Sequence, residues 1–416
     1  MTPRSFRPGA LHRLWRLLPA RQRRRVGVEV AALLAPRIDR APPPARGGLA
    51  VAGELARPSG LGEGARLLLR GLEALQVATW AMDVSGVLPA ADPATRRQAH
   101  IAPPAGVPLL LHVNAPLLPL VLLRLPRTLP RGRRVVGYWN WELPDIPPDW
   151  HAGARFVHEV WVPSPFTAAA IEPLLPGRVR VVPFPLAVAP PIPGALDRAA
   201  FGLPADAVVV LVSANLASSG ARKNPLGAIA AFRAAFGTRR DRLLVLKIGN
   251  PDHFPADFAQ ITAVVADAAN IRIDTNSYPA SAVHALTAAA DIVLSLHRSE
   301  GFGLVLAEAM LLGKPVIATG WSGNMAFMDA DSAALVAWRL VATDDPRQVY
   351  HGSTWAEPDQ GGAVAHLRRL ADDAAARAAL GARGRRHAFE RLGAGPLARA
   401  ARGLGLDVPG WLDVPG

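Results

Sequence analysis

Two runs of short apolar segments that alternate with helical patterns constrain the fold of this chain more than any other feature. The first run covers residues 49–182 and the second covers residues 208–318, with a proline-rich stretch at 183–204 between them. Strands that alternate with helices favour mainly parallel, doubly wound sheets. A proline-rich stretch between two such runs is typical of a domain boundary. The pattern therefore predicts two α/β domains in tandem.

Eleven segments are predicted to be strands from their apolar and β-branched residues. They are residues 49–53, 76–82, 108–113, 134–139, 159–162 and 178–182 in the first run, and 208–213, 243–248, 271–274, 292–296 and 315–318 in the second. Helices are predicted at 62–75, at 166–174, from Pro225 to Gly237, and over most of the chain beyond Gly361. Asn224 before Pro225 supplies a capping side chain and a proline suited to the first helical position.

These elements divide the chain into four parts. Residues 1–46 form a basic extension with its linker, and residues 47–190 form the first domain. Residues 206–385 form the second domain, and residues 386–416 form a helical tail.

Charge and cysteine content exclude several classes of protein. The chain has no cysteine, which excludes disulfide scaffolds and thiolate metal sites and suits a reducing cytosol. The net charge is +13, but residues 1–46 hold eleven arginines against Glu29 and Asp39, so +9 of it lies there. The charge thus belongs to one segment, and we predict no nucleic-acid partner. We expect a cytoplasmic protein, because the first residues lack the apolar core of a secretory signal.

The extension itself allows two interpretations. Leu11, Leu14, Trp15 and Leu18 fall at helical spacing within residues 8–25, and arginines surround them. Such a helix can lie on an anionic membrane surface, which would place the protein at the inner face of the membrane. It can equally pack on its own protein, because amphipathicity alone does not distinguish the two.

The strongest functional signal is the segment RSEGFGLVLAEAMLLGKP, residues 298–315. A buried strand runs into a glycine turn that holds Glu300, and a helix begins near Gly303. Glu300 therefore lies at the carboxyl edge of the sheet, where open α/β folds bind ligands. Glu308 lies about one and a half turns into the helix. The helix start offers N–H groups to phosphate, and two carboxylates suit a ligand rich in hydroxyls.

This segment resembles the signature of the retaining glycosyltransferases of family 4, which have the GT-B fold of two Rossmann-like domains facing a cleft. The resemblance implies that Glu300 holds hydroxyls of the donor sugar and that Glu308 holds the nucleotide ribose. It also implies that Gly301, Phe302, Gly303 and Leu304 present backbone to the sugar and phosphate. The alternative without a function is an ordinary helix with one exposed and one capping glutamate.

Arg222 and Lys223 follow the first strand of the second domain, where family members have a basic pair that neutralises the donor diphosphate. A guanidinium beside an ammonium suits a departing pyrophosphate. The alternative is a solvent-exposed basic pair without function before a helix. Only three of the 46 Lys and Arg residues are lysines, and this rarity argues against that alternative for Lys223.

The first domain contains a glycine-rich helix start with Gly60 and Gly62. It fits the loop with which GT-B enzymes approach the donor, and it also fits the dinucleotide fingerprint, with Asp83 as the ribose acid. Residues 54–59 separate these glycines from the strand, which favours the first interpretation.

The acceptor side is less defined. The family commonly has a histidine near the reacting sugar, whereas the comparable stretch here holds Trp139 and Glu142 without one. His112, at the end of the preceding strand, is the other candidate. Ser164, in the turn before a helix, could also face the cleft.

We predict neither a metal nor a cofactor. Asp329 and Asp331 look like a metal-binding D-x-D, but they follow the donor motif and no ligand cluster joins them. Ser322, Gly323 and Asn324 lie where family members often contact the diphosphate.

The sequence therefore predicts a retaining transferase that moves a hexose from a nucleotide diphosphate sugar, GDP-mannose or a UDP-hexose, to a glycan or lipid-linked acceptor, as in synthesis of bacterial surface polysaccharide. One alternative is a nicotinamide-dependent oxidoreductase that uses Gly60, Gly62 and Asp83. Another is a non-catalytic module that binds glycan or membrane and has kept the fold.

Overall fold

The computed structural model describes residues 19–87, 102–347, 349–350 and 352–411. Fourteen strands lie in this part of the chain: β1 (Leu49–Gly53), β2 (Thr79–Asp83), β3 (Leu109–His112), β4 (Val135–Tyr138), β5 (Glu159–Val162), β6 (Val179–Val181), β7 (Val208–Asn215), β8 (Arg242–Gly249), β9 (Ile271–Asp274), β10 (Ile292–Ser295), β11 (Val316–Thr319), β12 (Ala334–Val336), β13 (Trp338–Ala342) and β14 (Thr354–Pro358).

Twelve α-helices lie in the same residues: α1 (Ala20–Leu34), α2 (Gly60–Ala74), α3 (Leu118–Arg124), α4 (Pro165–Ile171), α5 (Gly220–Lys223), α6 (Pro225–Phe236), α7 (Pro255–Val265), α8 (Ala280–Ala289), α9 (Leu304–Leu311), α10 (Gln360–Asp372), α11 (Ala374–Arg391) and α12 (Gly395–Gly403).

Twelve of the strands form two six-stranded sheets in which every pair is parallel, while β13 and β14 form a separate antiparallel hairpin. The orders are β2-β1-β3-β4-β5-β6 and β12-β11-β10-β7-β8-β9. Helices cover the sheets, so the central strands are buried along their whole length, as β1 and β3 are. The predicted pair of doubly wound domains is confirmed. A parallel sheet buried on both faces explains why its strands are continuous apolar runs.

Local signals in the sequence account for several helix ends. The Asn224 side chain accepts a hydrogen bond from the N–H of Gly227, and Pro225 occupies the first turn of α6. Gly237 ends that helix with a φ of 57°, a value that favours glycine. At the start of α2, Ser59 caps the N–H of Gly62 in the same way.

The basic extension is partly a component of the first domain. Within α1, which the strand-and-helix pattern did not predict, Val28, Ala31 and Ala32 are buried. Val28 and Ala32 belong to the core of that domain, as does Ala35 directly after the helix. Arg24 also pairs with Asp149 at 2.7 Å. The stripe at Leu11, Leu14, Trp15 and Leu18 lies outside the described residues. Among the described residues, no helix is long and apolar enough to cross a membrane.

The end of the chain returns to the first domain. A Cβ atom built on Gly71 of α2 would lie 2.8 Å from the Leu397 side chain of α12. The N–H of Gly410 donates to the carbonyl of Leu75 at 3.0 Å. A Cβ atom on Gly381 of α11 would lie 2.1 Å from the Gly313 carbonyl oxygen, so α11 packs on the second domain. Residues 395–411, predicted as part of a helical tail, therefore pack on the first domain, while the preceding helix packs on the second.

Candidate functional site

The turn between β10 and α9 sets the position of the predicted donor residues. Gly303 takes a φ of 96° at the start of α9, and no side chain caps this helix start. Ser322 lies beneath the turn and accepts a hydrogen bond from the N–H of Glu300 at 2.8 Å. A Cβ atom on Gly323 would lie only 2.0 Å from the carbonyl oxygen of Gly301, so glycine is required there. The uncapped N–H groups and the positive helix end suit an anion.

Glu300 meets both members of the basic pair. Its Oε1 lies 2.5 Å from Lys223 Nζ, and its Oε2 lies 3.3 Å from Arg222 Nη1. Arg222 is 2% exposed and also donates to the carbonyls of Ser299 and Ser218, at 2.6 and 3.0 Å. The structure thus brings together the three residues that the family resemblance assigns to the donor sugar and its departing diphosphate.

Opposing effects set the ionisation of this cluster. Burial raises the pKa of Glu300, but Lys223 and Arg222 outweigh it, and the pKa falls to about 2. Glu300 is therefore a carboxylate at any physiological pH. Glu142 behaves differently, because burial raises its pKa although Arg222 lies 3.8 Å away.

Two side chains join the first domain to this turn, and a third joins it to the loop between β13 and β14. Ser164 Oγ donates to the carbonyl of Gly301 at 2.7 Å, so that carbonyl already has a partner. Ser299 Oγ donates to the carbonyl of Glu142, and Tyr350 OH contacts Glu142 Oε2 at 3.4 Å. The two domains are in direct contact beside Glu300. Ser164, proposed from the sequence as a cleft residue, is one of these contacts.

Glu308 lies in a different part of the cleft. It lines a cavity of about 770 Å³ between the domains, within the range of small-molecule sites. His284 Nε2 is 3.9 Å from Glu308 Oε1, and this contact raises the pKa of His284 despite partial burial. Tyr278 shares this wall, while Arg57, Glu63, Arg66 and Arg70 of the first domain form the opposite one.

The two predicted glycines of the first domain have different positions. A Cβ atom on Gly60 would lie 3.9 Å from Leu304 at the start of α9, so Gly60 faces the donor motif across the cleft. A Cβ atom on Gly62 would come within 2.4 Å of the Arg57 carbonyl. Gly62 is thus required by the turn within its own domain and does not face the second domain.

Asp83 has a structural role in the same turn. Its Oδ1 accepts hydrogen bonds from the N–H of Ala56 at 3.2 Å and from the N–H of Ser85 at 3.0 Å. In the oxidoreductase alternative, the Asp83 carboxylate would bind a ribose, but its Oδ1 already accepts these two hydrogen bonds within the protein.

Two of the three acceptor-side residues are core residues. His112 is 1% exposed and stacks on Tyr138 with ring centroids 4.8 Å apart. Burial lowers its pKa to about 4, and neither ring nitrogen has a hydrogen-bond partner among the described residues. Trp139 is fully buried, edge-on to Trp150, which corrects its prediction as a cleft residue. Of the predicted three, Glu142 is the one that contacts Arg222.

Phe302 also packs inward. Its ring meets Phe184 at 5.2 Å and Phe327 at 4.9 Å, and it is 4% exposed. Within the family motif, the side chain of Phe302 therefore anchors the turn, while Leu304 is the residue that points toward Gly60.

The remaining polar residues near the motif hold its backbone. Asn324 donates to the carbonyl of Thr319 at 3.1 Å and contacts His297 Nε2 at 3.1 Å. Asp329 accepts from the N–H groups of Asp331 and Ser332, as in a turn. Within the described residues, no group of three His, Asp or Glu side chains could hold a metal ion.

Tyr350 is a site residue that the sequence analysis missed. It comes from the loop between β13 and β14, and its ring lies 5.8 Å from the Arg222 guanidinium and 5.6 Å from Trp141. Behind these two rings is a second cavity of about 360 Å³, bordered also by Gln22, Arg24 and Arg25 of α1.

Comparison with known protein families gives a match to the second domain, where the donor residues lie. Residues 208–352 match the family described as "Glycosyl transferases group 1". The second domain is therefore similar to this family of glycosyltransferases. The match includes Arg222, Lys223, Glu300 and Glu308, and it does not reach the first domain.

Curated proteins that are similar to this chain are named as glycosyltransferases. The chain is 32% identical over 223 residues to a D-inositol 3-phosphate glycosyltransferase of Kineococcus radiotolerans, covering 51% of this chain and 48% of the relative. A D-inositol 3-phosphate glycosyltransferase of Nocardioides is 31% identical over 236 residues, which cover 54% and 45% of the two chains. The chain thus matches just under half the length of these relatives.

Solved structures confirm the GT-B fold. Sucrose-phosphate synthase from Thermosynechococcus elongatus superposes with a TM-score of 0.63 at 18% identity, covering 86% of this chain and 99% of that one. HepE from Anabaena, in complex with UDP and glucose, superposes with a TM-score of 0.57 at 15% identity, covering 86% and 100%. At these identities the likeness concerns the fold.

Proposed function

We propose that the protein is a retaining glycosyltransferase that moves a hexose from a nucleotide diphosphate sugar to a hydroxyl of a glycan or a lipid-linked acceptor. One observation carries the proposal: a buried carboxylate, Glu300, is held between Arg222 and Lys223 at the uncapped start of α9. A sugar needs hydrogen-bond acceptors and a diphosphate needs cations, and both are present in this one cluster.

In this proposal the nucleotide occupies the cavity that Glu308 lines. The carboxylate of Glu308 accepts hydrogen bonds from the ribose hydroxyls, and the start of α9 meets the diphosphate. The named complexes of HepE contain UDP, which favours a uridine nucleotide over GDP-mannose. Gly60, which faces Leu304, lets the first domain approach the donor closely.

The leaving group is stabilised by the basic pair. As the bond from the anomeric carbon to the diphosphate breaks, negative charge grows on the phosphate oxygens. Arg222 and Lys223 are already positioned and partly shielded from water, so they stabilise this charge without reorganising solvent. The acceptor hydroxyl attacks from the same face, and the departing phosphate accepts its proton. No metal has a role in this scheme.

The acceptor would enter from the side of Glu142 and Tyr350. These two residues contact each other and Arg222, and Trp141 and Tyr350 also border the 360 Å³ cavity. Aromatic rings with carboxylates and guanidinium groups suit a sugar, which presents both apolar faces and hydroxyls.

The test separates donor binding from turnover. UDP, GDP and their hexose conjugates are screened by thermal shift, and transfer is then measured for the wild type, Glu300→Gln and Glu308→Gln. Loss of one hydrogen bond to a charged group predicts roughly tenfold to hundredfold weaker donor binding for Glu308→Gln. Glu300→Gln is expected to lower transfer more than donor binding.

Glu357→Gln provides a control, because Glu357 pairs with Arg298 of the same turn on its more exposed side. Unchanged donor affinity in Glu308→Gln would show that the large cavity is not the nucleotide site. A tightly retained nicotinamide dinucleotide in the purified protein would favour the oxidoreductase instead, and donor binding without any turnover would favour a non-catalytic module.

A further inference from the structure

One helix has two different apolar faces. Along α1, Val28 and Ala32 are buried against the first domain, as is Ala35 directly after the helix. On the other side, Val26, Val30, Leu33 and Leu34 are exposed by 42%, 49%, 75% and 58%. We call these four residues the outer stripe. Their spacing of four, three and one places them on one helical face about 12 Å long.

The outer stripe is a concentration of exposed apolar surface. Among the described residues, fourteen large apolar side chains are exposed, and four of them lie in this one helix. Scattered single residues of this kind are normal, whereas a contiguous patch marks an interaction surface. The patch is distant in sequence from the transfer motifs, so the proposed transfer does not account for it.

Guanidinium groups lie at both ends of the outer stripe. Arg23 lies in the first turn of α1 on the same side of the helix as Val26 and Val30, and Arg37 is exposed just after the helix. Beside Leu34, the exposed Arg127 donates to the Leu34 carbonyl at 3.2 Å. The one carboxylate within α1, Glu29, is paired with Arg155 at 3.2 Å. The surface around the stripe is therefore cationic.

We propose that the outer stripe docks the protein on an anionic membrane surface. Apolar side chains enter the interface between headgroups and acyl chains, while the arginines meet anionic headgroups. A second copy of this chain is a poorer occupant, because it would bring two cationic faces together. Residues 1–18 are a poorer occupant for the same reason, since they carry four arginines and no acidic residue. This proposal does not depend on the proposed transfer.

The test uses the full chain and vesicles of phosphatidylglycerol with phosphatidylcholine. Co-sedimentation is measured for the wild type and for the double variant Val30→Glu/Leu33→Glu. The matched control is Leu196→Glu/Leu340→Glu, which adds the same charge at side chains exposed by 44% and 53% elsewhere. We expect the stripe variant to bind roughly tenfold or more weakly, with an unchanged melting temperature, and the control to bind like the wild type.

A second variant keeps the stripe and changes its charge. Arg23→Gln/Arg37→Gln should weaken binding to anionic vesicles and reduce its salt dependence, because fewer arginines then meet the headgroups. Neither residue belongs to the proposed transfer site, so transfer to a water-soluble acceptor should be unchanged.

Several results would overturn the proposal. They are equal binding of the wild type to pure phosphatidylcholine, equal binding of stripe variant and control, or no binding of the wild type at all. A wild-type dimer that the stripe variant converts to a monomer would show that a second copy covers the face. Stronger vesicle binding upon deletion of residues 1–18 from the wild type, but not from the stripe variant, would also contradict it, because that segment would then cover the stripe in the full chain.

Discussion

Replacement of Glu300 by glutamine tests the central claim about the site without requiring any substrate. The carboxylate has a pKa of about 2 against an ordinary value of 4.5, and it is 7% exposed. A depression of this size corresponds to about 3 kcal/mol of folding free energy at neutral pH. Glutamine removes the charge and leaves Arg222 buried with Glu142, 3.8 Å away, as its one remaining counter-charge among the described residues. We therefore expect Glu300→Gln to lower the free energy of unfolding by about 3 kcal/mol.

The measurement is denaturant unfolding at several pH values, supported by thermal melting. For a domain of this size the loss corresponds to roughly 6–12 °C in melting temperature. Because the folded-state pKa is depressed, the stabilisation is complete above pH 4.5 and is lost as the pH falls toward 2. The difference between wild type and variant should thus be constant from pH 7 to about 5.5 and should narrow below that.

Glu357→Gln serves as the matched control. It also removes a carboxylate from an arginine of the same turn, but its pair with Arg298 is 23% and 29% exposed. Such a pair contributes about 1 kcal/mol or less. If Glu300→Gln cost no more than this control, or if its cost did not change between pH 6 and pH 3.5, the tight cluster described above would be wrong.

Two further predictions concern the metal and the buried histidine. Transfer should continue in excess EDTA, because no metal takes part in the proposed scheme; activity that only Mn²⁺ or Mg²⁺ restores would contradict this. For His112, whose pKa is lowered to about 4, the unfolded chain takes up a proton below pH 6.5 before the folded protein does. Stability should therefore fall by about 3 kcal/mol between pH 6.5 and 4, and unfolding curves of His112→Leu, which has no titrating group there, should lack this part of the fall.

The sheets could be predicted because each strand of a buried parallel sheet is a short apolar run that can be recognised in the sequence. The predicted bounds of β1, β5 and β9 agree with the structure, because each is a short strand of buried or half-buried residues with clear ends in the sequence. The hairpin β13–β14 was missed, and the reason is physical. β13 is exposed along most of its length, so its apolar residues do not alternate with polar ones as in a strand with one buried face.

The donor side of the site could be predicted and the acceptor side could not. Glu300, Arg222 and Lys223 all follow strands of one parallel sheet, and the carboxyl ends of such strands meet at one edge. Tyr350 reaches Glu142 across 208 residues of chain, from the missed hairpin. Nothing local in the sequence indicates that contact. His112 was placed correctly at a strand end, but its burial depends on Tyr138, which stacks on it from the neighbouring strand.

The helix α1 links the two surfaces for which functions are proposed. Its outer stripe faces solvent, while its Gln22, Arg24 and Arg25 border the cavity behind Trp141 and Tyr350. Those rings in turn contact Arg222 and Glu142. A membrane that met the outer stripe would therefore lie close to the side from which an acceptor approaches. A lipid-linked acceptor could then reach the site while its lipid remains in the membrane. A free oligosaccharide would not need the enzyme to be at a membrane. The two proposals are independent in their tests, but the position of α1 makes a lipid-linked acceptor the one that would benefit from both.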